Sequence, residues 1–279
     1  MMLNSARRCF KSLIQPSIVE KHRRFCIIYR NILNLNGVAK YNLSSRISNF
    51  HCQRGVSTVN STAANTITLK DESREFMAVF PDVVRDLTDA GRHTDIPEAN
   101  KWFAKVLQYN VPSGRKIRGL ALIYAYKQLV PAEHLTPDNL RLAYIMAWCI
   151  EMLQAFFLLE DDIMDSGEER RGKPCWYKHN NLGLAAINDG LLLESGVYLL
   201  LRRHFRDKPF YLDAVEAFLQ ITHKTFLGQS LDIHSFHKDG RPRLEHYTMD
   251  RYNSLVKYKT AYYSFCLPVV LAMHMVFIS

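Results

Sequence analysis

No Cys-x-x-Cys pair occurs anywhere in this chain of 279 residues. Of six cysteines, Cys9, Cys26 and Cys52 fall within the first 70 residues, while Cys149, Cys175 and Cys266 stand far apart. That spacing excludes a zinc ribbon or a disulfide framework and fits a reducing compartment. No uninterrupted apolar run reaches the roughly 18 residues that a bilayer-spanning helix needs. The apolar stretch from Cys266 to Ile278 is shorter and contains Pro268 and His274, so it reads as a core helix. No transmembrane segment is therefore expected. Alternating apolar and polar runs are also lacking, which argues against a sheet. There is no internal repeat.

Acid is nearly missing from residues 1–70, which hold eleven Lys/Arg against the single acid Glu20. The other 209 residues carry 25 basic and 26 acidic side chains, so the net charge of +9 belongs to the leader. No nucleic-acid surface is expected on the folded part. A leader rich in Arg and Ser and poor in acid reads as a mitochondrial transit peptide, with Ser5 to Ile14 as its basic amphipathic helix. A processing site is expected near Arg54-Gly55-Val56-Ser57. A basic tail without an address, in a cytoplasmic protein, is the alternative.

What is present from residue 71 onward is helical periodicity, and 48% hydrophobic residues give ample material for a core. Phe80, Val83, Val84 and Leu87 share one face of a helix over 76–89. Trp102, Phe103, Val106 and Leu107 lie in the next, over 100–109. Val111-Pro112-Ser113-Gly114 is a break, and a helix resumes through residues 120–126. Pro137 suits the first turn of a long helix that ends in aspartates. Two more helices are expected over 188–204 and from 210 to about 235. A loop over 237–243 follows, then a helical stretch from 248. Helices apolar on more than one side imply an all-α bundle around a central core or cavity.

Asp161-Asp162-Ile163-Met164-Asp165 closes the long helix. Residues four apart share a helical face, so Asp161 and Asp165 stack one turn apart, with Asp162 about 100° round. Stacked carboxylates repel unless a cation lies between them. Mg²⁺ suits the pattern, because one or two carboxylates plus substrate phosphates commonly hold it. Arg170 and Arg171 follow, and an arginine fork matches phosphate oxygens. A solvated acidic helix end would explain a lone DDxxD. It would not explain why this one follows Ala155-Phe156-Phe157-Leu158-Leu159, which should be core.

The stretch from Leu153 to Asp165, followed by Arg170-Arg171-Gly172-Lys173-Pro174-Cys175-Trp176-Tyr177, resembles the first aspartate-rich region of the farnesyl diphosphate synthases. These are trans-prenyltransferases with the all-helical isoprenoid synthase fold. The resemblance extends from about Phe76 to Met275, with several motifs in family order. It implies a helical bundle with a central cavity over 71–279, in a chain that ends before the second aspartate-rich motif and the C-terminal helices. Only one DDxxD is present.

By that resemblance, Asp161 and Asp165 are Mg²⁺ ligands, with Asp162 close by. Arg170 contacts the allylic diphosphate and Arg171 the isopentenyl diphosphate. Gly114-Arg115-Lys116-Ile117-Arg118-Gly119 falls where the family has a Gly-Lys-x-x-Arg element that grips isopentenyl diphosphate. Arg118 matches the arginine, Arg115 replaces the lysine, and Lys116 could substitute in part. Gln154 matches a polar residue that meets the same substrate. Phe156 and Phe157 would form the floor that stops chain growth, giving ten- or fifteen-carbon products, with fifteen favoured. Gln229, in Gly228-Gln229-Ser230-Leu231-Asp232, would lie near the reacting carbons, with Asp232 holding a neighbouring lysine. Lys259 and Thr260 match a Lys-Thr pair that meets diphosphate and the carbocation. Glu160 departs from the small or apolar residue expected there. His234 and His237, three apart, could bind metal in principle but lack a third ligand.

The reaction implied is condensation of isopentenyl diphosphate with dimethylallyl or geranyl diphosphate to farnesyl diphosphate, in a homodimer if the chain is complete. A geranyl diphosphate synthase and a truncated, non-catalytic subunit that binds a partner synthase are the alternatives.

Overall fold

The computed structural model describes residues 71–89, 95–236 and 241–277. The leader, its cleavage site and His237 lie outside these. Residues 71–78 are helical and lead into α1, Phe80–Asp89. After it come α2 (Pro97–Asn110), α3 (Ile117–Leu129) and α4 (Pro137–Met164). A two-stranded hairpin follows, β1 (Glu169–Arg170) with β2 (Lys173–Pro174). Next are α5 (Ala186–Phe205), α6 (Tyr211–Ile233) and α7 (Met249–Leu255). Val256–Cys266 is a π-helical segment, and α8 (Leu267–Phe277) continues it.

The core is built on α4. Thr136 caps its start by accepting from Asn139 N at 3.2 Å, and Pro137 occupies the first turn, where its missing N–H costs nothing. Nearly every residue from Ala143 to Leu159 is buried, because neighbouring helices and the π segment surround it. Trp148 stacks on Phe76 with centroids 4.4 Å apart and donates Nε1–H to Phe76 O at 3.0 Å, so the fully buried indole has a partner. Buried Asp189 of α5 accepts from Trp102 Nε1 at 2.7 Å and Trp176 Nε1 at 2.8 Å. That one carboxylate ties α2 and the segment after the hairpin to α5.

Two features were not legible in the periodicity. Arg171 (φ 58°) and Gly172 (φ 75°) form the two-residue turn of the hairpin, in which Arg170 pairs with Lys173. Positive φ at both positions matches the twist of a tight hairpin. The π segment is the second feature. Its backbone presses so closely on α6 that a Cβ at Gly228 would stand 2.1 Å from Lys259 N. Gly228 is the residue that allows the approach.

The lack of an uninterrupted apolar run does not mean that membrane-length apolar helices are lacking. Pro137–Met164 and the helical stretch Gly183–Phe205 are both long and apolar enough to cross a bilayer. Scattered polar residues interrupt the runs without lowering their average enough. The most apolar 18-residue window is 83% buried in the first and 44% in the second, so α4 is spent on the core.

Candidate active site

The end of α4 is fixed by its backbone. Ser166 adopts φ 53°, Gly167 N donates to Asp162 O at 2.8 Å and Ser166 N to Ile163 O at 3.3 Å. These are the 6→1 and 5→2 bonds of a Schellman stop, and they hold the aspartates in place. Two cavities flank this end of the helix, sharing Leu158 as a wall.

The larger cavity, about 160 Å³, is lined by Phe157, Asp161, Thr225, Gln229, Lys259 and Thr260, among others. Lys259 Nζ lies 2.9 Å from Asp161 Oδ1 and also bonds Asp232, as expected for the lysine that Asp232 holds. These acids raise the Lys259 pKa against the effect of its own burial, so the amine stays cationic. Gln229 Nε2 donates to Asp161 Oδ1 at 3.2 Å. Five of the expected residues thus meet in one place: Asp161, Gln229, Asp232, Lys259 and Thr260.

Asp165 has no side-chain partner among the described residues. Its pKa is raised by burial and then by the charge of Asp161. Lys259 offsets only part of this, and a divalent cation held by the two carboxylates would remove the rest. The residues therefore fit Mg²⁺. Asp162 stands apart from them. It is buried and held by Arg170, with Nε at 2.7 and 2.8 Å from its two oxygens and Nη2 at 2.5 Å. Among the described residues no three acidic, His or Cys side chains group closely enough to cage a metal by themselves. The sequence could not separate Asp162 from its neighbours, because that pairing depends on the hairpin.

The smaller cavity, about 30 Å³, is lined by Ser113, Asp162, Arg170 and Arg171, with Tyr109 and Trp176 as aromatic walls. Arg171 Nη1 donates to Ser113 O at 2.5 Å and to its Oγ at 3.0 Å, lying over Gly114. A Cβ at Gly114 would come 2.5 Å from Arg171 Cζ, and φ is +88° there. Arg115 is exposed with no side-chain partner among the described residues. Lys116 is buried, bonds Ser113 O and lies 3.6 Å from Glu151 Oε2. Burial lowers its pKa to about 8. An amine paired inside the core does not replace a lysine at the surface of the site, so Lys116 is not the substitute expected.

Arg118 and Gln154 are not brought into either cavity. Arg118 Nη2 donates to Ser264 Oγ at 2.7 Å and to Tyr263 Oη at 3.1 Å, tying α3 to the π segment. Gln154 is buried, and its Oε1 has no partner among the described residues.

Phe156 and Phe157 pack together at 5.3 Å, and each meets Phe226 edge-on at 5.9 and 6.0 Å. The ring of Tyr263 lies 5.0 Å from Phe157. Phe226 is a cavity residue that sequence reasoning missed, and Tyr263, read from the sequence as a cavity or core residue, lines the same cavity. Glu160 turns toward α5, where a Cβ at Gly190 would meet its Oε1 at 2.0 Å. Burial raises its pKa to about 7, and Oε1 has no partner among the described residues.

Residues 100–279 match the polyprenyl synthetase family model. The chain belongs to that family. Curated relatives named farnesyl pyrophosphate synthase include those of Nezara viridula, 48% identical over 87% of this chain, and Murgantia histrionica, 46% identical over 87%. The alignments cover 61% and 62% of those two relatives, so the chain spans about three fifths of their length. Among solved structures, the T. brucei farnesyl diphosphate synthase superposes with TM-score 0.68 at 32% identity, covering 72% of this chain and 61% of that one. The all-α isoprenoid synthase architecture of the polyprenyl synthetases is thus the fold of this chain.

Proposed function

We propose that this polyprenyl synthetase belongs to a prenyltransferase that condenses isopentenyl diphosphate with dimethylallyl or geranyl diphosphate to farnesyl diphosphate. The observation that carries the reading is the meeting of Asp161, Gln229, Lys259 and Thr260 at the mouth of a cavity walled by Phe157 and Phe226. Carboxylates and a cation at one end, aromatic rings at the other, suit a diphosphate with a short apolar tail. The basic cavity across Leu158 suits a second diphosphate, with Arg171 reaching it from the hairpin turn.

Asp161 and Asp165 would hold Mg²⁺, which when bound neutralises the charge that develops on departing diphosphate. Lys259 adds a fixed positive charge at the same end. Gln229 and Thr260 present polar atoms beside the chain's reacting end. The rings of Phe157, Phe226 and Tyr263 exclude water from an allylic cation, and the floor limits its growth. A proton leaving the condensed product goes to the departing diphosphate.

The near-absence of acid among residues 1–70 supports mitochondrial import of the protein, with a transit leader ahead of a catalytic domain starting near residue 71. Exposed Leu191 and Leu199 on α5, with Leu212 and Leu219 on α6, support a homodimer formed through these helices.

The test is Mg²⁺-dependent diphosphate binding and prenyl transfer, with Asp161→Ala and Asp165→Ala compared against the parent. Each should cut turnover by at least about 100-fold while leaving the helical spectrum unchanged. Undiminished turnover in either would refute its assignment as a ligand.

A further inference from the structure

α6 has two opposed working faces. Thr225, Gln229 and Asp232 point toward the catalytic cavity and Lys259. Leu227, Ser230, Leu231 and His234, spaced i, i+3, i+4 and i+7, fall about 180° round the helix. They line a separate cavity of about 520 Å³. Its other walls are Arg243 and His246 from the segment before α7, Arg251 of α7 and Tyr258 of the π segment. Among the described residues four lining side chains are of basic type and none is acidic.

These groups are held as a ligand would need them. Arg251 is fixed by donating Nη2–H to Leu231 O at 2.8 Å and Nε–H to Ser235 Oγ at 3.3 Å. Arg243 Nε is buried and has no hydrogen-bond partner among the described residues. His234 donates Nδ1–H to Ser230 O at 2.7 Å, and His246 donates Nδ1–H to His234 O at 3.0 Å. Nε2 of each ring is left outside these bonds, and it donates to an anion only when the imidazole carries both protons. Arg243 and Arg251 put two guanidinium groups in the lining, and an anion with several oxygens suits them.

We propose that this cavity is a second anion site, taking a small organic phosphate or diphosphate. The phosphate meets Arg243, Arg251 and the two histidines, and the apolar part of the ligand lies on Leu227, Leu231 and Tyr258. The site lies across α6 from Asp161 and needs neither the aspartates nor a metal. It stands whether or not the chain carries out prenyl transfer.

The test is calorimetric titration of the full chain in EDTA with inorganic pyrophosphate and, separately, geranyl diphosphate. Two binding events are expected, one removed by Arg243→Gln and a different one by Arg171→Gln. At the Arg243 event, geranyl diphosphate should bind at least about tenfold tighter than pyrophosphate, roughly 1.4 kcal/mol. His234→Asn, at an exposed position, should weaken the same event and so decides the matter if Arg243→Gln fails to fold. Absence of any event sensitive to Arg243 or His234 at millimolar probe overturns the site. Equal affinity for the two probes overturns the apolar wall. Absence of only the Arg171 event, with the Arg243 event present, supports the site and counts against the catalytic reading.

Discussion

Gly228→Ala is the most direct probe of how Lys259 is held. In an ordinary helix the change would stabilise by about 1 kcal/mol, since alanine is the better helix former. Here the new Cβ would stand 2.1 Å from Lys259 N, and 2.5 Å from both Lys259 Cα and Tyr258 C. Ordinary contact begins near 3.4 Å, so α6 and the π segment must part by about 1 Å. The obstacle is backbone on both sides, and no flexible side chain can swing away. Overpacking of this kind costs about 3 kcal/mol or more. The net expectation is a loss of about 2 kcal/mol, read as a lower urea midpoint with an unchanged slope. The same displacement carries Lys259 off Asp161, now 2.9 Å away, and should weaken diphosphate binding about tenfold. Gly172→Ala is the control, because its Cβ would meet nothing within 4 Å and only its φ of +75° is strained. A Gly228→Ala protein as stable as the parent, binding diphosphate equally well, would refute the close-approach argument.

Two further outcomes follow from the same geometry. Phe157→Ala, and the pair with Phe156→Ala, should open the aromatic floor beside Phe226 and lengthen the prenyl product by at least one five-carbon unit; product sizing by chromatography checks it, and an unchanged product would remove the floor assignment. Lys116 should make stability rise in alkali: its proton is lost near pH 8 in the folded chain but near pH 10.5 in the unfolded one, so between those values the unfolded state binds more protons. The parent should gain up to about 3 kcal/mol across that window relative to Lys116→Met, measured by urea unfolding at each pH; parallel curves would show that Lys116 is not buried as a charge.

The helices were legible because their apolar spacing is regular. The expectation of a helix over 76–89 meets α1 with Phe80, Val83, Val84 and Leu87 all buried, and Pro137 does open α4. The residues that meet around Asp161 came from motif resemblance, and spacing alone would not have joined α4, α6 and the π segment. What escaped is set by contacts between distant segments. The π segment depends on Gly228, roughly thirty residues away, and no local pattern announces it. The burial of Asp162 depends on a hairpin whose turn needs positive φ at Arg171, a residue that rarely adopts it. The burial of Lys116 likewise depends on Glu151 in another helix.

The pairings around the aspartates also say what must change when a diphosphate arrives. Asp161, Asp162, Asp165 and Asp232 bring four carboxylates to this end of α4, while Lys259 and Arg170 are the cations that touch them. The cluster is short of positive charge before any anion enters; the pKa of Asp165 is raised first by burial, and the charge of Asp161 adds to that. A diphosphate beside Asp161 and Asp165 would add several negative charges, so metal-free binding on that side of Leu158 is electrostatically disfavoured. Arg170 cannot supply the missing charge freely, since leaving Asp162 would strand a buried carboxylate at a cost of several kcal/mol. Lys259 is less committed, because Asp232 can keep it while Asp161 is released. Asp161 and Asp165 are then the residues that would hold a divalent ion to balance the site, while Arg170 stays on Asp162.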